Sequence, residues 1–328
     1  YLKLLGIEPL PAQAARCYLA VEGEEGEIRI PAGTRFLAGE IPFESEEEYM
    51  GTGNRFCSFI SETDGSAMDL TAFAGADGEY ARAFAHYFHD SSILYLGFEK
   101  PLSDGDRLYI CIKADERRNP FDEDFRLCSL RWQFFGEAGW TDLDTEDGTC
   151  GFLKSGIVRV GGISAMERFR HPEGMGEAYY IRCILEEDAY DALPGIGMIY
   201  VNPLEVVQQK TVCKEGEILP ELQIGRTDGC AGQELLFDYP DICRFSLALE
   251  TGEKHFDIWK YTDDLDQAGY RDQVFTYDRD TQCVRFGDGI HGAVPPQNCL
   301  IHVTGLVCSM YEKGNVMAGS ISVAADAG

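Results

Sequence analysis

Hydrophobic residues recur at every second position along most of this chain. Cys17, Leu19 and Val21 alternate with Tyr18 and Ala20, and Ile28 and Ile30 alternate with Glu27 and Arg29. The same period carries Leu94/Leu96/Phe98, Leu130/Trp132/Phe134, Ile181/Cys183/Leu185, Phe245/Leu247/Leu249, Val284/Phe286 and Ile301/Val303. Successive side chains of a strand point to opposite faces, so this period predicts strands with one face buried. Turn-forming clusters separate the runs: Pro31-Ala32-Gly33, Ser103-Asp104-Gly105-Asp106, Gly161-Gly162, Asp228-Gly229, Thr251-Gly252-Glu253, Gly287-Asp288-Gly289 and Pro295-Pro296. Many short strands between such turns indicate sandwiches or barrels. Helical character is confined to residues 79–89 and, at best, 44–50. The expected fold class is mainly β, a multi-domain sandwich- or barrel-like architecture with few short helices.

Two seams interrupt the strand series, one near residues 85–92 and one near 202–210. They give three segments: an N-terminal β segment over 1–88, an inserted β-sandwich over 89–204, and a C-terminal β domain over 205–328. Periodicity alone leaves open whether the outer two form one domain. Ile30-Pro31-Ala32-Gly33-Thr34 and Val316-Met317-Ala318-Gly319-Ser320 are similar strand-turn-strand pieces near opposite ends. The termini of one domain often lie close together, so the outer segments are expected to pack together.

Charge narrows the function. Against 56 acidic residues stand 28 Lys and Arg, a net charge of −28. Such a field repels phosphate backbones and anionic lipid. The longest basic run is Arg117-Arg118, so no nucleic-acid or membrane partner is expected. Hydrophobic residues make up 45% of the 328, which excludes a disordered chain. The twelve cysteines fall singly, without any C-x-x-C, and the closest pair is Cys299 and Cys308. Zinc spacing is therefore absent. Several sit in apolar runs such as Leu108-Tyr109-Ile110-Cys111-Ile112, so reduced, mostly buried thiols and a cytosolic folding compartment are expected. No apolar stretch approaches a membrane span and no signal peptide opens the chain. Because the first residue is Tyr1, an excised or processed segment is expected.

Candidate chemistry is sparse. In Phe286-Gly287-Asp288-Gly289-Ile290-His291-Gly292, close-set glycines could cradle an anion, and Asp288 with His291 could hold a metal or act as a base. A phosphate loop needs a helix start after the glycines, but Ala293-Val294-Pro295-Pro296 follows. A tight turn with Asp288 bonded to its own backbone is the better reading. His86 and His89 give H-x-x-H beside Asp90, with no identifiable third ligand, and are read as packing or surface polarity. Acidic clusters at 44–48, 122–124, 142–147 and 263–266 miss the calcium-loop pattern and are read as solvated loops. There is no G-x-S-x-G or H-E-x-x-H. Trp132 and Trp140 could form a sugar-stacking platform, although Leu130, Trp132 and Phe134 share the parity of a core stripe. No catalytic residue, metal site or cofactor is expected.

The strings in order resemble a known family. Gly26-Glu27-Ile28-Arg29-Ile30-Pro31-Ala32-Gly33-Thr34-Arg35-Phe36, followed by Ile41-Pro42-Phe43-Glu44-Ser45, is similar to the opening of baseplate J-like proteins. Leu94-Tyr95-Leu96-Gly97-Phe98, Leu130-Arg131-Trp132-Gln133-Phe134-Phe135, Gly139-Trp140, Gly156-Ile157-Val158, Tyr180-Ile181-Arg182-Cys183 and Val201-Asn202 continue the likeness. Gly232-Gln233-Glu234, Val284-Arg285-Phe286-Gly287-Asp288-Gly289-Ile290-His291-Gly292, Pro295-Pro296 and Lys313-Gly314-Asn315-Val316-Met317-Ala318-Gly319 complete it. The chain departs from the family at Ser309-Met310-Tyr311-Glu312-Lys313, where a richer Gly run is usual, and at Ile181, where a second aromatic often stands. The resemblance implies a structural wedge or assembly protein of the baseplate of a contractile phage tail or phage-like injection particle. It implies no enzyme and a longer full-length chain. It further implies contacts with other tail subunits, homo-oligomers in the particle, and a bacterial cytoplasmic stage before assembly. The alternatives are a carbohydrate-binding or glycan-hydrolysing β-sandwich module and, more remotely, a secreted adhesin.

Overall fold

The computed structural model describes residues 13–21, 28–74, 79–84, 91–113, 126–174, 176–190, 193–321 and 323–325. Nearly all of its regular structure is strand. The chain forms two compact units. One takes residues 1–17, 31–48 and 205–328, and the other takes 18–30 and 49–204.

The 49–204 unit is built from two sheets over a common core. The first runs in the order Gly139–Asp142, Cys128–Gly136, Glu177–Asp188, Ser92–Phe98, Phe56–Thr63, Ser66–Asp69, with Arg168–Arg170 added on Glu177–Asp188. The second runs Asp144–Asp147, Gly156–Gly161, Arg107–Ile112, Gly195–Val201, Ala81–Arg82. Leu94, Leu96, Phe98, Trp132, Phe134 and Ile181 from the first sheet meet Leu108, Ile110, Val158 and Ile196 from the second. Strand Ser92–Phe98 is buried on its other face too. There Tyr95 packs with Ile60, Ala178 and Tyr180 in a smaller cluster that includes Trp140 and Phe169.

This unit starts earlier than residue 89. Phe56–Thr63 pairs along Ser92–Phe98, with Phe59 opposite Leu96 and Ser61 opposite Leu94. A pairing between distant runs leaves no mark in periodicity, so residues 49–84 read as part of an N-terminal segment. The expected helix over 44–50 is corrected, and the one over 79–89 is corrected as far as residue 84, since 85–89 lie outside the described residues. Within 79–84 the chain forms strand Ala81–Arg82, held by pairing with Gly195 and Ile196. Within 44–50 it forms the start of strand Tyr49–Gly51, which pairs with Ile28–Ile30. Sheet pairing overrides weak local propensity. The described α-helix is the single turn Thr71–Ala74.

The other unit holds an eight-stranded sheet, ordered Lys210–Thr211, Leu300–Cys308, Ile242–Gly252, His255–Tyr261, Val274–Asp278, Cys283–Phe286, Glu234–Leu236, with Gln223–Arg226 also on Leu300–Cys308. His255–Tyr261 and Val274–Asp278 run parallel. Leu247, Leu249, Trp259, Phe275, Phe286 and Val303 form the core. A five-stranded sheet, ordered Arg16–Leu19, Leu204–Val207, Ile41–Glu44, Arg35–Ala38, Val323–Ala325, joins distant parts of the chain. In it the first and last segments pair directly, Leu37 opposite Val323 and Arg35 opposite Ala325.

Candidate functional site

Three of the strings quoted for the baseplate likeness lie at polar knots. The first begins at Pro31-Ala32-Gly33-Thr34, where the chain turns into hairpin Arg35–Ala38/Ile41–Glu44. Gly33 has φ +79°, a left-handed conformation that favours glycine. Its N–H donates to Ser45 O at 2.7 Å, and Thr34 Oγ1 and Ser45 Oγ both donate to Pro31 O, at 2.7 and 2.9 Å. Next to this turn Glu44 is 1% exposed. Its carboxylate accepts from Arg35 Nη2 at 2.8 Å, from Thr211 N at 3.0 Å and from Thr211 Oγ1 at 2.6 Å. Glu44 thus departs from the reading of 44–48 as a solvated loop, while residues 46–48 are exposed. Glu46 in the same run pairs with Arg16 at 3.0 Å.

Gln208, fully buried, makes the second knot. Its N–H donates to Ala15 O at 2.7 Å, and its Oε1 accepts from Ser309 Oγ at 2.9 Å and Met310 N at 2.8 Å. Gly314, at the end of the 3-10 turn Tyr311–Gly314, lies against it. A Cβ there would sit 2.6 Å from Gln208 Cγ. Asn315 caps that turn through its N–H to Glu312 O, and the Val316 N–H donates to Gly314 O at 2.9 Å. Gln208 did not stand out in the sequence, and Glu44 did so only as part of an acidic run and of a motif string. Their partners lie 101 and 167 residues away, and spacing carries no signal over such distances.

The third knot is the turn after Phe286. Asp288 Oδ1 accepts from Ile290 N at 2.8 Å and His291 N at 2.7 Å. These two bonds, His291's first, hold the Asp288 carboxyl below the usual range. Gly289 and Gly292 have φ +90° and +81°. Gly287 is required for a different reason: a Cβ there would lie 2.3 Å from the Gly292 carbonyl carbon. His291 Nδ1 is 3.7 Å from Asp288 Oδ2, too long for a hydrogen bond. Among the described residues no three His, Cys, Asp or Glu side chains converge as metal ligands do. His86, His89, Asp90 and the 122–124 cluster lie outside the described residues.

Trp132 and Trp140 do not form one platform. Trp132 is 3% exposed, in the core, with its ring centroid 5.9 Å from Phe152. Trp140 is opposite Phe135, which has the other parity, so it stands on the reverse face of the sheet. There it contacts Phe135, Phe169 and Tyr95 at 5.3, 5.4 and 5.6 Å. Arg182 lies 4.4 Å over its ring, and its Nε and Nη2 donate to Gln133 Oε1. The same unit carries an apolar groove of about 660 Å³ lined by Met68, Leu70, Phe73, Tyr80 and Phe84. Four of the twelve cysteines are buried, seven are half-buried and Cys230 is exposed, so most are only partly covered. Burial pushes the Cys17, Cys57 and Cys308 thiols up to about 11.

Among solved structures the chain is similar to one in the TssK–TssF–TssG baseplate subcomplex of the type VI secretion system, seen by cryo-electron microscopy. The TM-score is 0.43 and the identity 10%, over 91% of this chain and 60% of that one. The chain thus spans less than two-thirds of that relative's length. No family model matches the chain, and no curated protein does.

Proposed function

We propose that this protein is a structural component of the baseplate of a contractile phage tail or phage-like injection machine, acting through contacts with other subunits and converting no substrate. One observation carries the reading. The motif residues that resemble baseplate proteins use their polar groups to hold their own fold. Glu44 ties a hairpin to Thr211, and Asp288 closes its own turn. A catalytic carboxylate needs room for a substrate and a proton to move. Glu44, buried with both oxygens occupied, supplies neither, and the exposed Asp288 commits one oxygen to its own turn.

The test is co-expression with the products of neighbouring tail genes, followed by affinity purification and size analysis. A stable stoichiometric complex is expected. The reading fails if no neighbouring product binds while the isolated chain cleaves a polysaccharide or peptidoglycan fragment and loses that activity on substitution of a specific carboxylate.

A further inference from the structure

The turn after Phe286 fixes its backbone and leaves one large side chain in water. Ile290 is 70% exposed, although its N–H is tied to Asp288 Oδ1 at 2.8 Å. The loop over residues 262–273 is fastened to this turn: Ala293 N–H donates to Asp272 O at 2.8 Å, and Leu265 Cδ2 is 3.4 Å from where a Cβ on Gly292 would sit. Tyr270 in this loop is 61% exposed, and Tyr261, the last residue of strand His255–Tyr261 just before it, is 47% exposed. Both are held. Tyr261 OH donates to Asp263 Oδ1 at 2.7 Å, and the Arg271 guanidinium lies 5.1 Å over the Tyr270 ring. The same two segments expose Asp263, Asp264, Asp266, Asp272 and Asp288, and Arg271 is their single Lys or Arg.

We propose that this corner is a docking surface for a basic segment of another subunit, one that presents Lys or Arg around an apolar socket for Ile290 and Tyr270. The proposal rests on the assembly reading above and names the chemistry of one contact. Exposed tyrosine and isoleucine on fastened loops lose little conformational freedom on binding, which is what makes a few residues carry most of an interface. The carboxylates set the partner's sign. A surface this acidic repels a second copy of a chain of net charge −28, and it repels nucleic acid, but it steers a basic protein toward contact.

The experiment measures the affinity of the full chain for the neighbouring tail-gene product it co-purifies with. Three variants are compared: Ile290→Ser/Tyr270→Ser, Asp266→Lys, and Met68→Ser, whose residue is 63% exposed in the other unit. All four positions are on the surface, and circular dichroism verifies the fold. The double variant should bind about tenfold or more weakly, and Met68→Ser within about twofold of the parent. Asp266→Lys should slow association and flatten its dependence on salt. Unchanged affinity in the double variant, or equal loss in Met68→Ser, overturns the docking surface and leaves the assembly reading standing. If the unaltered chain binds no neighbouring product, both fall together.

Discussion

Glu44 carries a charge where water does not reach. At 1% exposure its carboxylate depends on Arg35 and on the Thr211 N–H and hydroxyl for solvation. Breaking a buried pair from one side leaves the other partners unsatisfied, at a cost of about 3–5 kcal/mol. Arg35 is 37% exposed and can turn to water, so Glu44→Ala should cost about 2–4 kcal/mol, and Glu44→Gln, which keeps an acceptor for Thr211, about half of that. The check is the denaturant midpoint at constant slope, and a loss below about 1 kcal/mol for the Ala variant would contradict the knot. Asp288 gives a pH prediction. Its carboxyl is held low by the His291 and Ile290 N–H groups. A depressed folded value means stability that is present above the ordinary carboxylate range and lost as pH falls through the lowered value. In an NMR titration the Ile290 and His291 amides should shift together with the Asp288 carboxyl, at a midpoint below that of exposed aspartates. A midpoint at or above theirs would contradict it. The two residues differ in legibility. Asp288 announces itself because its glycines and its partners lie within four residues. Glu44 sits in a run of acids that looks like any solvated loop, and its main partner is 167 residues on.

At the scale of strands the period-two pattern carries far. Leu94/Leu96/Phe98 and Trp132/Phe134 do line the core, because alternation is a direct consequence of strand geometry. What alternation cannot express is a strand covered on both faces. Tyr95 is 5% exposed between the two buried leucines, since Trp140 and His171 lie against its outer side. Nor does it express register, which explains Gly97. Ser58, Gly97 and Tyr180 stand side by side on three strands, and the Tyr180 hydroxyl donates to Ser58 Oγ at 2.9 Å, across the glycine. A Cβ at 97 would lie 2.8 Å from Ser58 Cβ and 2.9 Å from Tyr180 Cε1. Gly97→Ala should therefore destabilise by about 1–3 kcal/mol through overpacking, although alanine ordinarily favours a strand over glycine. A stability equal to or above the parent's in chemical denaturation would show that the ring does not need the gap. The Trp pair illustrates the same limit. Their strands were legible, but only the opposition of Phe135 and Trp140 shows that Trp132 and Trp140 face opposite ways.

At the scale of the molecule, chain connectivity makes an order of folding. Nearly all of the 49–204 unit comes from one continuous stretch, and the sheet of residues 210–308 from another. The five-stranded sheet is different, because it collects residues near 16, 35–44, 204–207 and 323–325. Bringing Glu44 to Thr211 closes a separation of 167 residues, against 9 for Glu44 to Arg35. Loop closure over the longer path costs about 2–3 kcal/mol more from an unfolded chain. Prior folding of the residues between shortens that path, so the sheet should form after the stretch it encloses. Chains of this size commonly fold through populated intermediates, which makes the order observable. In pulse-labelled hydrogen exchange during refolding, the amides of Leu70 and Leu143, bonded to Phe59 O and Trp132 O within the 49–204 unit, should gain protection first. The amides of Gln208, bonded to Ala15 O, and of Thr211, bonded to Glu44, should gain it last. Glu44→Gln should then raise the unfolding rate and leave the early phase unchanged, since an interaction absent from the first barrier acts only on the return path. Simultaneous protection of all four amides would mean that the long closure is made in the rate-limiting step itself, and protection of Gln208 and Thr211 ahead of Leu70 and Leu143 would reverse the order altogether.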